Sequence, residues 1–185
     1  RPMLEWSIDA LLGTAWIREV VVALPTGAEL PQRRDRVRSV EGGAERSHSV
    51  RAALAAAGDA DLVLVHDAAR PLVTPEIAAP VLEAVARPGV DAAVAAAPVS
   101  DTIKVAGHDG VVDRTLDRSM LWAVQTPQVF RREALDRVLA EPDETLAAAT
   151  DDASLVEAAG GTVVVVETTP ENFKVTTRLD LRVAE

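Results

Sequence analysis

Cysteine is absent from the 185-residue sequence, which removes disulfides, thiolate catalysis and cysteine-based zinc sites together. Aromatic residues make up only 3%, too few for the base-stacking surface that holds single-stranded nucleic acid. Trp6, Trp16 and Trp122 are scattered along the chain and read as core or interface residues. Positive charge is also scarce: 19 lysines and arginines stand against 29 aspartates and glutamates, a formal net charge of −10. A chain this acidic is a poor bulk partner for DNA, RNA or anionic lipid, although a local basic cluster can still hold one phosphorylated metabolite. No apolar run is long enough to span a bilayer, and no basic-then-apolar leader stands at the front. The expectation is therefore a soluble, cytoplasmic protein with neither a nucleic-acid nor a membrane partner. His48, His66 and His108 lie far apart, so no metal ligands are assigned. Neither a Gly-x-Ser-x-Gly elbow nor a Gly-x-x-x-x-Gly-Lys-Ser/Thr loop occurs.

What is present is ordinary globular composition, 48% hydrophobic and 26% charged, at a length that suits one well-cored domain. Glu19–Leu24, Asp61–His66, Asp91–Val99 and Thr162–Glu167 are apolar runs rich in β-branched residues or alanine. Buried strands, apolar on both faces, account for the first two best. Val37–Val40 is a further short strand. Between them, helical spacing covers Pro2–Leu12, the stretch after Gly42-Gly43 to Ala57, Pro75–Arg87, Arg132–Leu139, the run from Thr150 to Gly160 and Thr176–Glu185. Strand, loop and helix alternate with short connections, which favours an open α/β sheet over a sandwich or bundle. The rhythm breaks between Pro98 and Val124, where Ile103–Ala106 and Val111–Leu116 flank the turn Gly107–Gly110. That pattern predicts an inserted β-hairpin, too thin to be stable alone and so expected to pack on something, another subunit included.

Open α/β sheets bind ligands beyond the carboxyl ends of their strands. Asp67 and Arg70 follow the Asp61–His66 strand directly, with the small Ala68 and Ala69 between them. There Asp67 suits a ribose hydroxyl or hydrated cation, and Arg70 suits a phosphate; a surface ion pair is an equally fair reading. Gly42-Gly43 before a helix permits close backbone approach and free N–H groups, with Ser49 adding a hydroxyl, but a plain turn is the commoner outcome. Thr150-Asp151-Asp152 is explained well enough as a helix cap. Lys174, after the last strong strand, reaches the same sheet edge as Asp67 and Arg70, where an ammonium neutralises phosphate charge; an exposed lysine is the plainer reading.

Taken together these segments resemble the 2-C-methyl-D-erythritol 4-phosphate cytidylyltransferases. The resemblance runs in order through the opening helix from Pro2, GGAERSHSV (42–50), VHDAARP (65–71), PVSDTIK (98–104), LDR (116–118), QTPQ (125–128), TDDAS (150–154) and NFKVT (172–176). His48 departs from the family, which often has an acidic residue there. The resemblance implies a Rossmann-like α/β domain over 1–185, with a mixed, mostly parallel sheet, flanking helices and a dimerisation arm at 98–122. It implies CTP and a polyol phosphate as substrates, Mg²⁺ as companion ion, and a homodimer with exchanged arms. Gly43, Ala44 and Ser49 would surround the cytosine. Asp67 and Ala68 would approach the ribose and acceptor, with Asp67 counted among the catalytic groups, and Arg70 would contact the acceptor. Thr102 and Arg118 would reach the acceptor phosphate from the neighbouring subunit, Thr126 and Thr150 would line the pocket, and Lys174 would face the reacting phosphates. The family's first strand and glycine-rich phosphate loop would belong before Arg1. Two rival readings stand beside this one: a ribitol-5-phosphate cytidylyltransferase, and a noncatalytic dimeric scaffold.

Overall fold

The computed structural model describes residues 1–185. Its elements are α1 (Met3–Gly13), β1 (Val20–Leu24), β2 (Val37–Glu41), α2 (Arg46–Ala56), β3 (Leu62–Val65), α3 (Pro75–Val85), β4 (Ala92–Pro98), β5 (Lys104–Ala106), β6 (Val112–Thr115), β7 (Trp122–Arg131), α4 (Arg132–Leu139), α5 (Asp143–Ala148), α6 (Asp152–Ala158), β8 (Val163–Glu167) and α7 (Arg178–Ala184). The central sheet has the order β3-β7-β4-β8. β7 runs antiparallel to β3 and β4, while β4 and β8 are parallel, so three of the four strands point one way. β1 and β2 form a separate parallel pair, and β5 and β6 form the expected hairpin. The chain is a mixed, mostly parallel α/β fold.

The alternation of side chains along β4 explains how the sheet is covered. Ala92 and Val94 join Phe130, Leu135, Leu139 and Val156 in one cluster beneath α4, α5 and α6, whereas Ala93 and Ala95 join Val81, Val85 and Val129 beneath α3. Small side chains on the central strand let both helical layers approach closely, and all of these residues are buried.

Two elements were not expected. α5 is a six-residue helix whose only buried residue is Leu146, too little apolar periodicity to signal a helix. β7 is the hub of the sheet, yet its sequence contains Pro127, which cannot donate to a ladder and argues against a central strand. The resolution lies in the register. Pairing with β4 steps from Val94↔Gln128 to Ala96↔Val124, and pairing with β3 ends at Val65↔Gln128. Pro127 therefore sits in a bulge where no ladder bond is required of it, and the bulge turns Gln125 and Thr126 toward the ends of β3 and β8.

A second expectation needs correction. β1 and β3 were read as buried strands, but most of their residues are only half-buried. The two sheets are not hydrogen-bonded to each other, and a cleft of about 1100 Å³ lies between them, lined by Val20–Ala23 and Leu62–Val65. Moreover, β3 runs antiparallel to its only partner. The hairpin stands out from the body: within β5 and β6 every residue except Val105 is exposed.

Candidate active site

Three loops meet beyond the carboxyl end of β3. The first carries Asp67 and Arg70, the second is the bulge of β7, and the third carries Asn172 to Val175. Backbone bonds tie them together. Val175 N–H donates to the Ala69 carbonyl at 2.8 Å, and the Arg70 guanidinium donates through Nη1 to the Asn172 carbonyl at 2.8 Å. Asn172, fully buried, donates through Nδ2 to Gln125 Oε1 and to the Thr126 carbonyl, each at 2.9 Å. This lacing brings Lys174 Nζ within 3.0 Å of Asp67 Oδ2, although the residues are 107 positions apart.

Asp67 is gripped on its other side as well. Arg46, the first residue of α2, places Nε 3.3 Å from Asp67 Oδ1 and Nη1 2.6 Å from Asp152 Oδ2. Burial works to raise the Asp67 pKa, but the Lys174 hydrogen bond and the Arg46 and Lys174 charges outweigh it, and the carboxyl lies below its ordinary range. Asp152 behaves oppositely: its burial raises its pKa despite Arg46, and its Oδ1 has no hydrogen-bond partner. Beside it Asp151 caps α6, accepting from Ser154 N–H at 2.9 Å and from Gln128 Nε2 at 2.7 Å.

His66 anchors the Asp67 loop from beneath. Its Nε2 lies 3.0 Å from the Arg70 carbonyl, an acceptor only, so that nitrogen carries the proton. Nδ1 then accepts from the Thr126 hydroxyl at 3.0 Å, and the same hydroxyl accepts from Asp67 N–H at 3.0 Å. Burial holds the imidazole neutral, its pKa depressed to about 4.

The glycine turn before α2 packs on its own helix. A Cβ on Gly43 would meet His48 Cβ at 2.2 Å, so only glycine fits. Gly43 N–H donates to Ser49 Oγ at 3.1 Å, and Gly43 and Ala44 are exposed.

A model of the family described as IspD, 2-C-methyl-D-erythritol 4-phosphate cytidylyltransferase, matches residues 1–185. The chain belongs to this family. A cytidylyltransferase of this name from Rhodococcus jostii is 46% identical over 188 aligned positions, covering 98% of this chain and 80% of the relative. A bifunctional IspD/IspF enzyme from Anaeromyxobacter is also 46% identical, but the chain spans only 47% of it. The crystal structure of the Thermus thermophilus cytidylyltransferase superposes with a TM-score of 0.86 at 42% identity, covering all of this chain and 87% of that one.

Within this IspD fold, Asp67 touches Lys174 and the Thr126 hydroxyl, and Arg70 joins them through Asn172; Ala68 lies in the same loop, and Gly43, Ala44 and Ser49 flank Arg46 along the chain. Thr126 is 3% exposed, and its hydroxyl is spent on His66 and Asp67. Thr150 is exposed beside a small cavity of about 70 Å³ that Arg46, Asp151 and Asp152 also line. Thr102 and Arg118 lie at the root of the arm, both exposed. Arg118 bonds the Ser100 carbonyl at 2.5 Å, and neither residue hydrogen-bonds the Asp67 cluster. Sequence reading missed Arg46, Asp152, His66 and Asn172 as parts of the site. One signal for Arg46 was available: a cation in the first turn of a helix opposes the macrodipole and calls for a tertiary partner.

Proposed function

We propose that the chain transfers the cytidylyl group of CTP to 2-C-methyl-D-erythritol 4-phosphate. An oxygen of the acceptor's phosphate attacks the α-phosphorus in line and forms the new P–O bond. The bond to pyrophosphate breaks, and pyrophosphate leaves with the electron pair. No protein nucleophile is required; positioning and neutralisation of charge supply the catalysis. The observation carrying this reading is the convergence of Asp67 and Lys174 at the end of β3, in a family whose description, like the names of the Rhodococcus and Thermus relatives, gives this acceptor. In this reading the turn at Gly43, Ala44 and Ser49 receives the cytosine, Arg70 and Thr150 border the acceptor, Lys174 meets the reacting phosphates, and Thr126 supports the pocket from below.

Mg²⁺ accompanying the nucleotide would help to neutralise the phosphate charge. No three His, Asp or Glu side chains converge on one point, and both Asp67 oxygens already face cations. Asp67 is the carboxylate that would border such an ion. No helix is long and apolar enough to cross a membrane. The arm carries exposed Val111, Val112, Met120, Trp122 and Val124, an apolar surface suited to a second subunit. Its Thr102 and Arg118 would then reach the neighbour's acceptor phosphate.

Pyrophosphate release and phosphorus NMR, with CTP, Mg²⁺ and either 2-C-methyl-D-erythritol 4-phosphate or ribitol 5-phosphate, test the proposal. Turnover with the first acceptor is expected. Preference for ribitol 5-phosphate would reassign the acceptor, and silence with both would refute cytidylyl transfer.

A further inference from the structure

The charge cluster at the end of β3 contains one residue whose placement contradicts its local environment. Arg46 opens α2, where the helix dipole disfavours a cation. Its neighbour in space, Asp152, opens α6 and is 0% exposed, a situation tolerable for a carboxylate only when it is paired. Arg46 is the only cation within ion-pair distance of it, and the same guanidinium reaches Asp67. One fork thus spans two carboxylates on two different loops, through Nη1 and Nε, which a point-charge ammonium cannot reproduce.

We propose that Arg46 is a positioning residue: anchored on the buried Asp152, it fixes the Asp67 carboxylate so that its other oxygen meets Lys174. This rests on the cytidylyl-transfer reading for its kinetic consequence but not for its geometry. The anchoring ties the start of α2, which follows the glycine turn, to the end of β3. The groups facing the pair are Lys174 from the loop after β8, Arg70 and His66 from the β3 loop, and Asp151 with Asp152 from α6. Of these cations only Arg46 and Lys174 touch the Asp67 carboxylate.

The test uses Arg46→Met, Arg46→Lys, Asp152→Asn, Asp67→Asn and the double variant Arg46→Met/Asp67→Asn, with two readouts. Arg46→Met is expected to lower kcat about 10- to 100-fold, the penalty of a small misplacement, with substrate KM little changed. Arg46→Lys should recover only part of it, and Asp152→Asn should give a milder loss of the same kind. The double variant should be no slower than Asp67→Asn alone, because Arg46 acts through Asp67. Multiplying losses, or unchanged kcat in Arg46→Met, would overturn the proposal. Carbon-13 titration of the Asp67 carboxyl gives the second readout: its pKa should rise in Arg46→Met and stay put in Arg51→Met, which removes only an exposed pair with Asp143. An unmoved Asp67 titration overturns the proposal whether or not the enzyme turns over. A wild-type chain inactive with both acceptors but showing the shift would sink only the functional reading.

Discussion

Replacing Thr126 with valine removes one oxygen and leaves the shape of the side chain almost unchanged. In the folded chain that oxygen serves two buried partners, accepting from Asp67 N–H and donating to His66 Nδ1, both at 3.0 Å. With Thr126 3% exposed, water has little room to replace it. Two polar atoms would lose their partner, each at about 1–3 kcal/mol, so the substitution should cost roughly 2–6 kcal/mol. Native domains hold only about 5–15 kcal/mol in reserve, so this is a large fraction. Thr126→Ser keeps the hydroxyl and deletes one methyl group, a loss of about 1 kcal/mol. Urea unfolding of the three proteins at pH 7 measures the difference, with equal m-values required for comparison. The serine variant should lie close to wild type and the valine variant well below both. If valine costs no more than serine, the hydroxyl does not hold the β3 loop and the network described here is wrong. Turnover should fall with valine as well, because the released Asp67 backbone carries the carboxylate.

His66 makes stability depend on pH in a definite direction. Its pKa is about 4 in the fold against an ordinary value near 6.5, so the unfolded chain takes up a proton in that window and the folded chain does not. Stability from this source is intact above pH 6.5 and declines as pH falls toward 4, by roughly 3 kcal/mol at most; unfolding at pH 7, 5.5 and 4.5 should show a shallower decline in His66→Gln, and equal slopes would contradict the assignment. Lys174→Met should slow turnover by roughly 100- to 1,000-fold while changing stability by no more than about 1 kcal/mol, since its side chain is 46% exposed; near-normal turnover would leave Lys174 a mere surface lysine. If Arg118 serves the neighbouring subunit's site, mixing Arg118→Ala with Lys174→Met subunits should restore some activity, and absence of complementation under demonstrated subunit exchange would refute a shared site.

Much of the architecture was legible because local pattern and tertiary role agree. Val20–Leu24 and Val163–Glu167 are β-branched runs and form strands; Pro75 opens a helix and the Gly107–Gly110 turn closes a hairpin. Part of the candidate site was legible too, because Asp67, Arg70 and Lys174 each lie in a segment that follows a strand, and strand ends gather at one edge of an α/β sheet. β7 was not legible. Its proline carries a local signal against a central strand, and only the register slip beside Ala95 shows how the sheet accommodates it. The half-buried state of β1 and β3 was hidden as well, since burial depends on what stands alongside a strand rather than on its own residues.

The sequence by itself determined which residue types stand at each strand end, and therefore that carboxylate, guanidinium and ammonium groups were available near phosphate-sized space. Tertiary structure alone decided which of them touch. Arg46 stands 106 positions from Asp152 and 21 from Asp67, and no periodicity or spacing encodes such a contact. The same holds for the Thr126 hydroxyl, whose partners lie 59 and 60 positions away. Hydrogen bonds and ion pairs act over about 3–4 Å, so their existence depends on loop placement to within an ångström. Hydrophobic patterning sets which face of a strand is buried; the packing of two loops against one bulge set where Asp67 points.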